Sequence, residues 1–306
     1  MRQIRTDLAM EQIMHLSGGV RHGEEKFGRI TKTTVSIETK EAEELMQKPI
    51  GHYITYAMDG LCHADAKERL ALSRMIAATL RRLLPEEGEV LVVGLGNRRI
   101  AADALGSRVL DDLLITRHLH SPEGTAWQGM RSVCALAPGV LGVTGMETAE
   151  VIRGIVKNVS PAAVIAIDAL AARECSRICT TIQLTDTGIL PGSGVGNHRM
   201  GLNLETLKVP VIAIGVPMVV YAAVIARDAL SLMMREMGLK EEEHLGAMEQ
   251  LMERTMHHAL GEMVVTPQEV DEMVGRVARI IADAINEALH IGLSREEIAA
   301  LSHDHL

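Results

Sequence analysis

The sequence predicts an α/β fold of three layers, a mainly parallel or mixed sheet with helices on both faces. Three observations carry this. The runs VLVV at 90–93 and AVIAI at 163–167 are apolar throughout and rich in β-branched residues, as strands buried on both faces are. Stretches of helical periodicity separate the strand-like runs, and that alternation builds parallel strands with crossover helices. The first run ends in the turn Gly94-Leu95-Gly96-Asn97, with Asp103 close behind. The carboxyl edge of such a sheet is where ligands bind.

Taken in order, residues 1–11 mix polar and apolar types without a period, which predicts an exposed or loosely packed start. Residues 29–39 alternate and are β-branched, which predicts a strand or hairpin arm, and 53–56 predicts a short second strand. Residues 8–60 then read as a small N-terminal α+β layer beside the main sheet. Leu70, Leu72, Met75, Ile76, Thr79, Leu80 and Leu83 give 64–84 a helical stripe that Pro85 ends. After the strand at 90–93, Leu105, Val109, Leu110, Leu113 and Leu114 predict a helix from Asp103 to about Arg117.

A strand at 132–137 closes at Pro138-Gly139. A helix at 147–157 follows, with Glu147 and Glu150 in its first turn, where the helix dipole favours them. Strands are predicted at 163–167, 180–185 and 211–215, the last ended by Pro217, and a helix at 219–237. The charged run 240–243 reads as a solvated face. Thr266-Pro267-Gln268-Glu269 reads as a capping box with Pro at the first helical position. It opens a long helix whose Val270, Met273, Val274, Val277, Ile280, Ile281, Ala284 and Leu289 share one face. Ser294-Arg295-Glu296-Glu297 caps a last short helix.

Composition narrows the function. A chain of 306 residues with 47% hydrophobic content builds its core without disulfide staples. A net charge of −9 argues against direct nucleic-acid binding, which wants a basic face. With aromatics at 2% there is no base-stacking platform. No secretory signal opens the chain and no apolar run approaches a membrane span. Four scattered cysteines point to a reducing cytoplasm. The 18 methionines read as core filler.

Among candidate sites, Gly94 and Gly96 lack the third glycine of a dinucleotide fingerprint, its place being held by Arg99, and no phosphate-loop motif occurs. The glycine turn reads as a tight strand-to-helix connection, with Asn97 fixing the local backbone through its side chain. Asp186-Thr187-Gly188 matches the tripeptide of pepsin-like proteases, but those are all-β folds. The tripeptide reads as strand-to-turn punctuation that still sets Asp186 near the crevice. Cys175 and Cys179 lack the further ligands a metal needs, so no metal site and no cofactor are expected. His257-His258 and His303-Asp304-His305 read as exposed helix and tail residues. His118 and His120 read as cations at a helix end. Asp103 and Asp168 stand apart: each follows a buried strand, each precedes an Ala-Leu start that predicts a helix beginning there, and parallel strands bring their carboxyl ends to one edge. Helix capping explains either alone. As a pair they make an acid–base couple.

Longer strings now become recognisable. RTDLA at 5–9, LVVGLGN at 91–97, DALG at 103–106, LLITRHL at 113–119, PGVLGVTGMET at 138–148, IAIDALAAR at 165–173, GILPGSGVGN at 188–197, VIAIGVP at 211–217 and MVVTPQEVD at 263–271 resemble the spore germination protease family. These endopeptidases degrade small acid-soluble spore proteins. The resemblance implies an atypical aspartic protease whose catalytic aspartates are Asp103 and Asp168, with a fold similar to that of hydrogenase maturation proteases. It implies a zymogen that removes a short propeptide itself, a homotetramer, and work in the spore core on proteins that coat DNA. Residues 1–7 are then the propeptide, with cleavage between Asp7 and Leu8, and 8–306 a single peptidase domain. The sequence departs from the family in a shorter region around 235–259 and in Tyr221, where an acid is expected.

Two neighbouring carboxylates share a proton and titrate as a pair. One then activates water while the other protonates the leaving amine. Amides of the glycine turn are candidates for the oxyanion site, and Asp186 and His118 for supporting roles. The competing readings are a metal-dependent maturation-type peptidase on the same fold and a non-enzymatic spore scaffold protein.

Overall fold

The computed structural model describes residues 6–15, 18–120, 129–192, 200–238 and 263–303. The charged run 240–243, His257-His258, Asp304-His305 and the glycine-rich loop beyond residue 192 lie outside the described residues.

The strands are β1 (Val20–Phe27), β2 (Ile30–Ile37), β3 (Gly51–Ala57), β4 (Val90–Gly94), β5 (Val133–Leu136), β6 (Ala163–Ala172), β7 (Thr181–Thr185), β8 (Val211–Tyr221) and β9 (Val264–Val265). All join one sheet in the order β1-β2-β3-β7-β8-β6-β4-β5, with β9 pairing β8. β5, β4, β6 and β8 are mutually parallel, whereas β1, β2, β3, β7 and β9 join by antiparallel pairings. The sheet is therefore mixed. The expected separate N-terminal layer is instead a continuation of this sheet, because Tyr53–Ala57 of β3 pair with all of β7.

The helices are α1 (Lys40–Met46), α2 (Ala66–Leu83), α3 (Leu105–Asp111), α4 (Leu141–Thr144), α5 (Thr148–Val159), α6 (Leu204–Leu207), α7 (Ala222–Glu236), α8 (Val270–Leu289) and α9 (Arg295–His303). Strand alternation divides the core. Val90, Val92, Ile165, Ile167, Ile212 and Ile214 pack beneath α2, α3 and α8. Leu91, Val93, Val164, Ala166 and Val211 face the other way, against Ala149, Ile152 and Val156 of α5. Helices thus cover both faces of the parallel half, as expected.

Several boundaries differ from expectation, each for a physical reason. The helix from Asp103 shrinks to a 3-10 turn, Ala101–Asp103, and the two turns of α3. Beyond them the Asn286 side chain accepts from the Leu114 amide (3.0 Å) and donates to the Asp112 carbonyl (2.9 Å), which satisfies backbone a longer helix would have used. β8 runs through Pro217 to Tyr221, which shortens the following helix to α7. Proline is tolerated there because the β6–β8 register shifts at Leu170/Ala171, and such an irregularity needs no N–H. The Thr266 hydroxyl donates to the Met218 carbonyl (2.8 Å) and does not cap α8, which opens at Val270 without a side-chain cap. Ser294 and Glu297 do form the reciprocal capping pair, at 2.7 and 3.2 Å.

Candidate active site

β4 ends at Gly94, opposite Ile167 of β6, and the Leu95 amide then donates to the Ile167 carbonyl (2.8 Å). The chain must turn at once, and α3 crosses in close contact. A Cβ on Gly94 would lie 2.4 Å from the Gly106 carbonyl oxygen, and one on Gly106 would lie 2.6 Å from that of Ile167. Gly96 has φ +92° and leaves no room for a side chain, since a Cβ would come within 2.0 Å of the Asp103 carbonyl oxygen. Asn97 closes the turn: its amide donates to the Asp103 carboxylate at 2.8 Å, and its side chain accepts from the Arg99 amide at 3.1 Å. The turn amides of Leu95 and Asn97 are therefore bonded within the fold. The 3-10 turn carrying Asp103 packs against β6 and β8.

Asp168 stands one residue past the last rung that β4 makes with β6. It is 5% exposed and lies mid-strand, paired with Gly215 of β8. The expectation that a helix begins there fails, because β8 is long enough to pair β6 out to Ala172. Its alternation with Val164 and Ala166 turns it to the α5 face. Across Gly215, the next strand places Gln183 at the same level, on the same face and buried. Gly215 leaves the space between the two side chains clear except for Leu170, whose side chain a Cβ would meet at 2.4 Å.

The expected loose N-terminus is instead packed. Leu8 and Ala9 are fully buried. Leu8 fills a slot of Leu170, Ala172, Val220 and Val224, and Ala9 packs on Val35, Ile37 and Tyr53. Asp7 straddles the Ala171 backbone: its amide donates to the Ala171 carbonyl (3.1 Å), and its carboxylate accepts from the Ala171 amide (2.9 Å). The Glu11 carboxylate accepts from the amides of Arg173 (3.0 Å) and Glu174 (3.2 Å), and burial pushes its pKa up. The Asp7 carbonyl accepts from Lys48 Nζ (3.0 Å) and Gln183 Nε2 (3.1 Å). Burial lowers the Lys48 pKa, against the pull of Asp7 and Glu11.

The remaining expected residues lie elsewhere. β7 is antiparallel to β8, so its carboxyl end points to the opposite edge of the parallel strands. Asp186 sits there, accepting from the His52 amide (2.8 Å) and meeting its Nδ1 (2.7 Å). His118 lies with His120, Glu89, Arg117 and Ser132 around a cavity of about 510 Å³. Glu89 precedes β4 and Ser132 precedes β5, so this cavity also opens at the amino edge, away from Asp103 and Asp168. Cys175 lies in the 3-10 turn Cys175–Arg177, while Cys179 is buried with its sulfur against Met218 Sδ (3.4 Å). Among the described residues no group of three or more His, Cys, Asp or Glu is placed to hold a metal, and no helix is long and apolar enough to cross a membrane. Sequence reasoning missed Gln183 and Lys48. Gln183 carried a signal, an amide in the middle of the apolar-flanked strand TIQLT; Lys48 carried none.

Comparison with known proteins follows the same lines. A family model described as germination protease matches residues 2–259. A germination protease of Clostridium perfringens (strain SM101) is 40% identical over 97% of this chain and 98% of its own. One from Clostridium acetobutylicum is 41% identical over the same shares. One from Bacillus velezensis is 37% identical over 98% of this chain and 97% of its own.

Proposed function

The chain belongs to the germination protease family, and from that premise we propose that it is an endopeptidase working through a pair of aspartates, Asp103 and Asp168. The observation that supports the pair is the packing of the Asp103 turn against β6 and β8, at the level where Asp168 leaves the last rung of β4.

In this reading the two carboxyl groups share one proton. The ionised group takes a proton from water as the oxygen adds to the scissile carbonyl carbon. The protonated group then gives its proton to the amide nitrogen, the C–N bond breaks, and a carboxylic acid and an amine leave. The pair again holds one proton, with the roles exchanged. The Asn97 amide keeps the Asp103 carboxylate oriented (2.8 Å).

The substrates are small acid-soluble spore proteins, the site of action is the spore core, and the enzyme is made as a self-processing homotetrameric zymogen that loses residues 1–7. Support for self-processing comes from the target-like string Thr6-Asp7-Leu8-Ala9-Met10-Glu11 and from its seat beside β6. Fold kinship with hydrogenase maturation proteases belongs to the same reading. The test is to incubate the purified chain with a small acid-soluble spore protein and map the fragments by mass. Cleavage after an acid that precedes an apolar residue and alanine supports the reading. An uncut substrate beside a fully activated enzyme overturns it. Cleavage silenced by a chelator and restored by zinc or nickel would transfer the chemistry to a metal.

A further inference from the structure

We propose that Lys48 and Gln183 bind the carbonyl oxygen of the bond this enzyme cuts, and that residues 6–11 of the chain lie in the substrate channel as a substrate segment does. The inference rests on the endopeptidase reading above and adds to it the groups that hold the peptide.

The Asp7–Leu8 bond is gripped on both sides. On the acid side, Lys48 Nζ and Gln183 Nε2 donate to the Asp7 carbonyl oxygen at 3.0 and 3.1 Å. Lys48 also reaches the Thr6 carbonyl at 3.2 Å. On the other side, Gln183 Oε1 accepts from the Ala9 amide at 2.8 Å. One carboxamide thus spans Leu8 and fixes the backbone before and after it. Two donors about 3 Å from one carbonyl oxygen form the arrangement that stabilises the negative charge growing there when water adds. One of them is the amine of Lys48, whose side chain is partly buried, and a charge there acts more strongly than in water.

Side-chain seats on the same segment match this grip. The Asp7 carboxylate is held by the Ala171 amide, the Glu11 carboxylate by those of Arg173 and Glu174, and Leu8 fills the apolar slot of Leu170, Ala172, Val220 and Val224. These seats read an acid, an apolar residue next to it, and a second acid four positions after the first. Gln183 is also the buried side chain that faces Asp168 across Gly215. The carbonyl it holds therefore lies on the face of the sheet that carries Asp168.

The test uses the full chain and two readouts: release of residues 1–7 by intact mass, and kcat and KM on a peptide of sequence Arg-Thr-Asp-Leu-Ala-Met-Glu. Wild type and Asp168→Asn serve as controls, with Lys48→Met, Lys48→Arg and Gln183→Leu as variants and thermal unfolding measured on all. The expected result is a fall in kcat of roughly 10²-fold for Lys48→Met and Gln183→Leu, with a smaller change in KM, and partial recovery in Lys48→Arg, which keeps charge and donors. Wild-type kcat in both Lys48→Met and Gln183→Leu overturns the inference and leaves the endopeptidase reading standing. A loss that tracks thermal unfolding and is shared by Lys48→Arg also overturns it, because a structural role alone explains that pattern. A wild-type chain that cuts neither itself nor the peptide fails the endopeptidase reading, and the inference falls with it.

Discussion

The amide of Asn97 donates to the carboxylate of Asp103 at 2.8 Å, so the glycine turn that ends β4 is closed by the acid proposed to act at its edge. The turn and the acid form one local unit. A change that displaces the turn displaces Asp103.

Gly96 is where this coupling is most exposed to a single substitution. Its φ of +92° and the 2.0 Å approach of a Cβ to the Asp103 carbonyl oxygen leave no conformation for alanine. Gly96→Ala is expected to lower stability by about 1–3 kcal/mol through strain and crowding. It should also lower kcat by more than that stability loss explains at temperatures where the chain is folded. Denaturant unfolding read beside peptide turnover checks both; unchanged turnover in Gly96→Ala would separate the turn from the chemistry.

Gly215 is expected to matter for a different reason. It lies between Asp168 and Gln183 in the sheet register, and a Cβ there would meet the Leu170 side chain at 2.4 Å. Leu170 can shift, so Gly215→Ala should fold, but Leu170 lines the slot that Leu8 fills. The expectation is a raised KM for peptides with a large apolar residue after the cut and a smaller effect when that residue is alanine. Equal effects on both peptides would argue against the slot.

How much of this was legible in the sequence follows from the range of the interactions involved. β4 and β6 were readable because all-apolar runs and a glycine turn are local signals. The mixed half of the sheet was not, because antiparallel β7 and parallel β6 share the same buried composition, and direction is set by connections far away. That is why Asp186 was expected at the crevice and lies at the other edge. Asp168 was read as a helix start because Asp-Ala-Leu caps helices as readily as it continues a buried strand, and only the length of β8 decides. The packed N-terminus was invisible for a similar reason. Leu8 finds its partners at Leu170 and Val220, far beyond any periodic window.

His290 gives the fold a pH dependence with a definite sign. It is 1% exposed, its Nε2 meets the Leu114 carbonyl at 3.2 Å, and burial lowers its pKa from 6.5 to about 4. The unfolded chain binds this proton more readily than the folded one, so the stability tied to neutral His290 is present above pH 6.5 and is lost as pH falls from 6.5 towards 4. The loss from this group alone approaches about 3 kcal/mol. Unfolding curves across that range should be steeper in wild type than in His290→Gln; identical slopes would show that His290 does not titrate with folding.

The measurement that bears most directly on the proposed chemistry is intact mass of the full chain over time in wild type, Asp103→Asn and Asp168→Asn, each first shown to fold by its unfolding transition. Asparagine keeps the volume of either acid and removes its proton transfer. Wild type is expected to lose residues 1–7, and both variants to keep their full mass. Release of that segment at the wild-type rate by either folded variant would contradict the aspartate pair.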